Sequence, residues 1–402
     1  MAPGNDGLAH MAGVGTNELR QPSKLDLHET GRDTLMGRLL RRFWQPVALA
    51  QDVASGQARP IRIMGEDLTL YRGASGQPYV VGGRCAHRCT VLHTGIVREE
   101  NISCMYHGWR YDGAGLCTDI PAESRPRPDP IHIAGYPARE YAGLIFAYMG
   151  EGSPPPFELS RKHEFEDAGR MLFPKREYWD CNWFQQVENS LDAVHLSFAH
   201  LWGITGQFGS YVSGGGEIPK LEYAETSSGL RQTATRSNGN VRISDWTFPN
   251  NNHIVVPGPT KQSAWGHVSV WAVPIDDTRT MRFRIYATDA VDDETASAIR
   301  ADLTFEPTDY ETALFKGDLS GLSDQSVISA QDYVAVRGQG AICDRSQENL
   351  SSSDAGIILL RKVFLRELGA IATGTAPKTW APLTHAIDLP PPPAPPGATA
   401  KQ

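Results

Sequence analysis

The sequence lacks several features that define large classes of protein. No segment approaches the ~20 consecutive apolar residues needed to span a bilayer, and the first thirty residues lack the apolar core of a signal peptide. An excess of positive charge is also missing: the formal net charge is −8 and the pI is near 5.9, which argues against a nucleic-acid partner. No internal repeat, nucleotide-binding fingerprint or flavin motif is evident. These absences predict a cytoplasmic protein without a membrane or nucleic-acid partner.

Cysteine is scarce, with six residues among 402, but two of the six stand in an informative pattern. Cys85-Ala86-His87 is followed, after sixteen residues, by Cys104-Met105-Tyr106-His107. Two thiolates and two imidazoles in this order suit a two-iron, two-sulfur cluster in which the cysteines hold one iron and the histidines the other. Structural zinc is the alternative, but zinc modules usually pair Cys-x-x-Cys with a second such unit or with two closely spaced histidines. The arms resemble those of Rieske proteins. The other four cysteines are predicted to be free thiols.

A second motif, Asp192-x-x-His195-x-x-x-x-His200, lies in the other half of the chain. At ~100° per residue, Asp192 and His195 share one helix face, whereas His195 and His200 are ~140° apart. To bind one metal, the segment must bend or unwind between the two histidines. Two histidines and one carboxylate with open positions form the facial site of non-haem iron(II) oxygenases. Taken alone, the pair also fits ordinary core or surface histidines.

Together the two motifs resemble the oxygenase (alpha) component of Rieske non-haem iron oxygenases, over nearly the whole chain. Further segments look like the branch that contains phthalate dioxygenase and aryl ether demethylases: Met36-Gly37-Arg38, Arg42-Phe43-Trp44-Gln45-Pro46, Gly65-Glu66-Asp67-Leu68, Tyr106-His107-Gly108-Trp109-Arg110-Tyr111-Asp112 and Asp344-Arg345-Ser346. The resemblance implies a Rieske 2Fe-2S cluster and a mononuclear Fe(II). A pure electron carrier and a structural zinc protein are the alternatives from other classes.

The resemblance also assigns roles to individual residues. It implies Cys85, His87, Cys104 and His107 as cluster ligands, and His195, His200 and Asp332 as iron ligands. Asp324 is the second candidate for the carboxylate ligand, and a capping or surface role is the alternative for Asp332. Asp192 is implied to bridge His107 of one subunit and His195 of the next for electron transfer. A solvated helix carboxylate is the alternative for Asp192, and Asn189, one turn earlier, is a candidate for orienting the ligands.

The predicted fold is α+β: a β-rich Rieske domain, then a catalytic domain whose curved antiparallel sheet wraps a long helix, a helix-grip or START-like arrangement. Linker residues 150–156 divide the chain into an N-terminal segment (1–32), a Rieske domain with a leading helix (33–150), a mononuclear iron domain (151–388) and a proline-rich tail (389–402). Helices are predicted near 35–43, 183–200 and 355–368, and strands at 60–63, 68–71, 79–81, 144–148, 230–236, 241–248, 268–273 and 281–286.

The resemblance implies a terminal oxygenase that hydroxylates an aromatic, carboxylated substrate with dioxygen and electrons from NADH. Oxidative O-demethylation of a methoxylated aromatic acid is the alternative reaction at the same iron. The reductase must be a separate partner carrying flavin, ferredoxin or both, and the implied assembly is a homotrimer or a dimer of trimers. Arg242 and Arg236 are candidates to bind the substrate carboxylate, although Arg242 also fits an outer sheet face.

Overall fold

The computed structural model describes residues 22–125, 128–202, 213–256, 265–303, 307–317, 322–383 and 387. Within these ranges the strands are β1 Trp44–Leu49, β2 Ala58–Ile63, β3 Glu66–Arg72, β4 Pro78–Gly82, β5 Ile96–Arg98, β6 Asn101–Ser103, β7 Arg110–Tyr111, β8 Cys117–Asp119, β9 Gly135–Tyr136, β10 Ala138–Tyr141, β11 Leu144–Tyr148, β12 Arg170–Trp179, β13 Lys220–Glu225, β14 Gly229–Thr235, β15 Val241–Thr247, β16 Asn251–Val256, β17 Gly266–Asp276 and β18 Arg279–Asp289.

The α-helices of the same ranges are α1 Leu35–Leu40, α2 His163–Glu166, α3 Trp183–Ser190, α4 His195–Phe198, α5 Asp293–Asp302, α6 Pro307–Lys316, α7 Asp324–Arg337 and α8 Ala355–Thr373. Short 3-10 helices cover Lys24–Leu27, Ala50–Asp52, Leu92–Thr94, Phe157–Ser160, Gly214–Gly216 and Ser352–Asp354. No helix among the described residues is both long enough and apolar enough to cross a membrane.

Three small antiparallel sheets form the N-terminal part, in the strand orders β1-β11-β10, β2-β3-β4-β9 and β5-β6-β7-β8. Both cysteine-histidine arms are loops closed by antiparallel pairs. Arg84 pairs with Val91 around the first arm, and Ser103 pairs with Arg110 around the second. The sheets therefore hold the ends of both loops in fixed positions and leave the loop residues free to bind a group.

A seven-stranded antiparallel sheet, in the order β12-β18-β17-β16-β15-β14-β13, forms the second part. The long helix α8 packs on one face of it: the Phe364 ring lies 5.7 Å from the Trp246 ring and 5.0 Å from the Phe248 ring, measured between centroids. Gly374 ends this helix with a left-handed backbone, φ 71°, which glycine adopts without strain. The predicted α+β architecture, with an antiparallel sheet against a long helix, is confirmed.

The hydrophobic core is continuous across the two parts. One buried cluster contains Leu39 and Phe146 from the N-terminal part and Trp271, Phe283 and Phe364 from the second. Phe146 and Trp271 meet edge to face with their centroids 5.8 Å apart. A shared core of this kind restricts motion between the N-terminal sheets and the large sheet.

The predicted elements are present with shifted ends. The leading helix is Leu35–Leu40 and is capped by Thr34, whose side chain accepts from the Gly37 N–H. The C-terminal helix runs five residues past the predicted end, to Thr373. All eight predicted strands overlap observed ones. The elements that were not predicted include strands β12, β13 and β16 and helices α5 to α7.

The helix predicted over residues 183–200 is present as two separate helices. Helix α3 ends at Ser190 and α4 begins at His195. Asp192 lies in the break, where its Oδ1 accepts from the backbone N–H groups of Val194 at 2.8 Å and His195 at 3.3 Å. A side chain that captures backbone donors in this way replaces helical hydrogen bonds with a turn. The proximity of Asp192 and His195 therefore comes from this turn and not from helix periodicity.

Candidate active site

The two cysteine-histidine arms share a local geometry. In the first arm the Cys89 N–H donates to the Cys85 carbonyl, and in the second the Gly108 N–H donates to the Cys104 carbonyl, each at 3.0 Å. Cys89 and Gly108 both have positive φ, 57° and 77°. Each cysteine thus begins a tight turn that carries its histidine.

The cysteines are buried and the histidines are exposed. Cys85 and Cys104 are 2% and 4% exposed, whereas His87 and His107 are exposed, with their ring centroids 4.5 Å apart. Burial raises the pKa of the Cys104 thiol, and its hydrogen bond with Cys85 raises it further. Two sulfurs in the interior and two imidazoles at the surface match the two-sided ligand set of a Rieske cluster.

One further group touches the cysteine end of this set. The hydroxyl of Tyr111 lies 3.2 Å from Cys85 Sγ and accepts the Ala86 N–H at 3.0 Å. Tyr111 is fully buried. Sequence reasoning did not single it out, although it lies only four residues after His107. Hydrogen bonds to cluster sulfurs are one of the factors that set a reduction potential.

The second candidate centre joins His195, His200 and Asp332. His195 Nε2 lies 3.3 Å and His200 Nε2 3.2 Å from the same oxygen, Asp332 Oδ1, and the three donor atoms lie within 4.8 Å of one another. Helix α4 ends at Phe198, before His200, so the chain unwinds between the two histidines as their spacing requires. Asp332 reaches the pair from α7, 132 residues downstream of His200.

The second ring nitrogen of each histidine faces a side-chain oxygen, and that of His200 is hydrogen-bonded. His200 Nδ1 contacts Gln331 Oε1 at 2.9 Å, and Gln331 Nε2 donates to the Trp202 carbonyl at 2.7 Å. His195 Nδ1 faces Asp192 Oδ2 at 3.6 Å, which is too long for a hydrogen bond. A hydrogen-bonded partner such as Gln331 fixes the ring orientation of a metal-binding histidine. Gln331 was not identified from the sequence. Its position next to Asp332 is the one signal that could have indicated its role.

The donor set fits a divalent cation. His200 Nε2 and Asp332 Oδ1 are buried and have no hydrogen-bond partner among the described residues, although unpaired buried polar groups are costly. Burial alone would lower the pKa of His195, but the carboxylates of Asp192 and Asp332 raise it to about 9. Burial would raise the pKa of Asp332, yet His200 and His195 hold it well below its ordinary value. This negative field favours positive charge at the centre, and two imidazoles with one carboxylate suit Fe(II).

A cavity with an empty volume of about 990 Å³, open mouth included, adjoins the three residues. Its walls come from the sheet and from helices α3, α4 and α7. Eight of its described lining residues are aliphatic: Val187, Leu196, Ile254, Val256, Val268, Val270, Ala272 and Ile328. Its charged lining residues beyond the triad are Asp192, Arg242, Arg282 and Arg284. An apolar cavity with a few charged groups is the usual form of a small-molecule site.

Of the remaining predicted site residues, some line the cavity and others do not. Asn189 and Arg242 line the cavity. Arg236 is not among the described lining residues, and its Nη1 donates to the Glu217 carbonyl at 2.6 Å. Asp324 begins helix α7, eight residues before Asp332, and its side chain lies outside the described part of the chain.

Comparisons with known proteins agree with this architecture. Residues 43–137 match the family model of the Rieske [2Fe-2S] domain. The chain is 32% identical over 373 residues to the 5,5'-dehydrodivanillate O-demethylase oxygenase subunit of Sphingobium sp. (strain NBRC 103272 / SYK-6), covering 88% of this chain and 81% of that protein. It is also 32% identical over 373 residues to the tert-butanol monooxygenase / tert-amyl alcohol desaturase oxygenase subunit of Aquincola tertiaricarbonis, covering 85% of this chain and 76% of that one.

A solved structure extends the comparison to the fold. The oxygenase of carbazole 1,9a-dioxygenase, solved as a variant in complex with its ferredoxin, superposes with a TM-score of 0.60 at 21% identity, covering 83% of this chain and 91% of that one. With a Rieske domain at residues 43–137 and full-length relatives that are oxygenase subunits, the chain belongs to the Rieske non-haem iron oxygenases, as an oxygenase (alpha) component that holds a 2Fe-2S cluster.

Proposed function

We propose that this oxygenase component hydroxylates an aromatic, carboxylated substrate in the cavity beside His195, His200 and Asp332. The observation that carries the proposal is the convergence of two Nε2 atoms on Asp332 Oδ1 at the edge of an aliphatic cavity. The three residues would hold a mononuclear Fe(II), and Cys85, His87, Cys104 and His107 would hold the cluster. Bound iron at the triad supplies dioxygen activation, which side chains alone cannot provide.

The surrounding residues have supporting roles. Gln331 fixes the His200 ring so that Nε2 faces the cavity. Asp192 holds the turn before His195 and faces its Nδ1, and in an assembly it would link His195 to His107 of the neighbouring subunit. Asn189, which lines the same cavity, would help to hold the ligands in place.

The cavity walls support a flat apolar substrate with one anionic group. Aliphatic side chains exclude water from the ring, which strengthens polar contacts inside. Arg242 is half-buried on β15 and lines the cavity, so its guanidinium would bind a carboxylate through two parallel hydrogen bonds. Arg282, which also lines the cavity, pairs with Glu177 at 2.9 Å. Arg236 donates to a backbone carbonyl elsewhere and remains the weaker candidate.

Oxidative O-demethylation is the second candidate, because a relative that is 32% identical is a 5,5'-dehydrodivanillate O-demethylase oxygenase subunit. Both reactions would use the same iron and the same cavity, and the pose of the substrate decides between them. The tert-butanol monooxygenase / tert-amyl alcohol desaturase relative is named for aliphatic alcohols. Such alcohols therefore serve as test substrates that lack an aromatic ring.

Electrons would come from NADH through a separate reductase, since the sequence contains no nucleotide-binding or flavin motif. The relative of known structure forms a complex with a ferredoxin, which supports an electron-transfer protein as the partner here. We further propose a homotrimer or a dimer of trimers, a cytoplasmic location, and a division into a Rieske domain (33–150) and a mononuclear iron domain (151–388).

The proposal is tested by incubating the reduced enzyme with phthalates, methoxybenzoates, unsubstituted arenes and tert-butanol, followed by product mass. We expect added oxygen on carboxylated arenes, or loss of a methyl group as formaldehyde from methoxybenzoates. Turnover restricted to tert-butanol would contradict an aromatic substrate. A protein that accepts electrons but never consumes dioxygen would be a pure electron carrier.

A further inference from the structure

A second group of metal-binding side chains lies on the other face of the large sheet. Glu164, His253 and His267 each offer one donor atom, and the three atoms lie within 4.8 Å of one another. All three side chains are buried, at 5%, 1% and 2% exposure. On β16, His253 alternates with Asn252 and Ile254, which line the cavity. Because side chains alternate across a sheet, this group is separate from the His195, His200 and Asp332 centre.

The donor atoms of this group lack other partners. Glu164 Oε1, His253 Nε2 and His267 Nδ1 have no hydrogen-bond partner within the described ranges. Glu164 Oε1 and His253 Nε2 lie 2.7 Å apart, but their orientation is not that of an N–H group donating to a carboxylate. Each unpaired buried group costs about 1–3 kcal/mol.

The iron centre has the same signature. Its His200 Nε2 and Asp332 Oδ1 are close, buried and unpaired in the same way. In both groups a divalent cation would satisfy a carboxylate oxygen and an imidazole nitrogen together. The donor sets are also equal in kind, two histidines and one carboxylate.

The sheet holds both histidines of the second group in place. His253 pairs with Ser269 and Val255 pairs with His267 across β16 and β17, so the two histidines are diagonal neighbours on one face. Their rings are nearly parallel, with centroids 5.5 Å apart. His253 Nδ1 contacts Ser269 Oγ at 2.8 Å, which leaves Nε2 for a metal, as in other histidine sites whose second nitrogen is hydrogen-bonded.

A metal-free ion pair is the competing arrangement. A protonated His253 would satisfy the charge of Glu164, but His267 Nδ1 would remain unpaired in the interior. The buried cation Lys162 donates to Thr247 Oγ1 at 3.2 Å and does not complete the group.

We infer that Glu164, His253 and His267 form a zinc-type metal site that stabilises the fold. At a nitrogen and oxygen site Zn²⁺ binds more tightly than Fe²⁺, and three protein ligands leave a fourth tetrahedral position for water. Glu164 lies on α2, in the segment that joins the N-terminal sheets to the large sheet, and the Lys162 N–H beside it donates to Tyr141 Oη at 3.0 Å. A metal here fastens that connection to β16 and β17, so its binding energy adds to the stability of the fold.

Zinc content of the full chain tests this inference. In a His195→Ala/His200→Ala background, which removes the competing centre, we expect about one zinc per chain after dialysis against Zn²⁺ and removal of the free ion. Adding His267→Gln or Glu164→Gln should lower the retained zinc at least tenfold. His163→Gln is the matched control, because His163 is on the same helix but exposed, and it should retain the zinc. The visible spectrum of the cluster reports that each variant is folded.

Two results would overturn the inference. One is a folded His195→Ala/His200→Ala protein that takes up no zinc, and the other is equal loss of zinc in the His163→Gln and His267→Gln variants. If the variants carrying His267→Gln or Glu164→Gln do not fold, X-ray absorption at the zinc edge of the His195→Ala/His200→Ala protein tests the site instead. Two imidazole ligands are expected there, and a shell of oxygen atoms alone would refute the site.

Discussion

Asp192 and His195 are joined twice: Asp192 Oδ1 accepts the His195 backbone N–H at 3.3 Å, and Asp192 Oδ2 faces His195 Nδ1 at 3.6 Å. The first contact shapes the turn that starts helix α4. The second places a negative charge beside Nδ1, while Nε2 points at Asp332. One carboxylate thus fixes the backbone of a proposed iron ligand and places its charge beside the ring.

Asp192→Asn should separate these two functions. The amide oxygen still accepts the backbone N–H groups, so the fold and both metals should be retained, while the lost charge should lower coupled turnover about 10- to 100-fold. Iron content and oxygen uptake measured on the same preparation check this. Asp192→Ala should in addition lower the free energy of unfolding by about 1 kcal/mol, because it removes the hydrogen bonds that hold the turn. Loss of iron in the Asn variant would argue against the bridging role.

Asp332→Ala should remove the mononuclear iron and leave the cluster. The substitution deletes the oxygen that both Nε2 atoms face, and His195 and His200 alone form an incomplete site. Asp324→Ala, on the same helix, is the control and should retain the iron. If Asp324→Ala lost iron and Asp332→Ala did not, the assignment of the carboxylate ligand would be reversed.

Tyr111→Phe should lower the reduction potential of the cluster. The variant removes a hydroxyl 3.2 Å from Cys85 Sγ, and hydrogen bonds to the sulfurs stabilise the reduced, more negative cluster. Redox titration followed by electron paramagnetic resonance measures the shift. Tyr79→Phe is a suitable control, because the Tyr79 hydroxyl donates to Glu100. An unchanged potential in Tyr111→Phe would show that this contact does not tune the cluster.

Arg242→Gln should reduce kcat/KM for carboxylated arenes about 10- to 100-fold, which corresponds to a charge-assisted hydrogen bond of about 1.5–3 kcal/mol. Activity on an uncharged analogue should change little. Arg236→Gln, whose guanidinium meets the Glu217 carbonyl, should alter stability and not this selectivity. Equal losses for charged and uncharged substrates would remove Arg242 from the substrate site.

Glu188→Gln should lower the free energy of unfolding by about 3–5 kcal/mol, because it removes the carboxylate that pairs with the buried Arg345, whereas Arg361 retains its second carboxylate, Glu348. Glu188 Oε2 lies 2.7 Å from Arg345 and Oε1 lies 2.6 Å from Arg361. Glu222→Gln removes an exposed partner of Lys220 and should change stability by less than about 1 kcal/mol. Chemical denaturation, monitored separately from cluster bleaching, compares the two. Similar small effects would mean that the buried network contributes little.

The sequence predicted residues whose chemistry is local. Each cluster arm lies within four residues, and the histidine pair lies within six, so their spacing was visible directly. Gln331 was missed because its role depends on how α7 packs against His200. The break at residues 191–194 was missed because it depends on hydrogen bonds from the Val194 and His195 N–H groups to the Asp192 side chain. The spacing of apolar residues does not report such bonds. Glu164, His253 and His267 come from three separate elements that only the folded sheet brings together.

The central claim, one polypeptide with a cluster and a separate mononuclear iron, is tested most directly by the ratio of iron to acid-labile sulfide in anaerobically purified protein. The account predicts about three irons per two sulfides in the wild type and about two per two in His195→Ala/His200→Ala. A ratio of one in the wild type, with the cluster spectrum intact and added Fe(II) not retained, would contradict it.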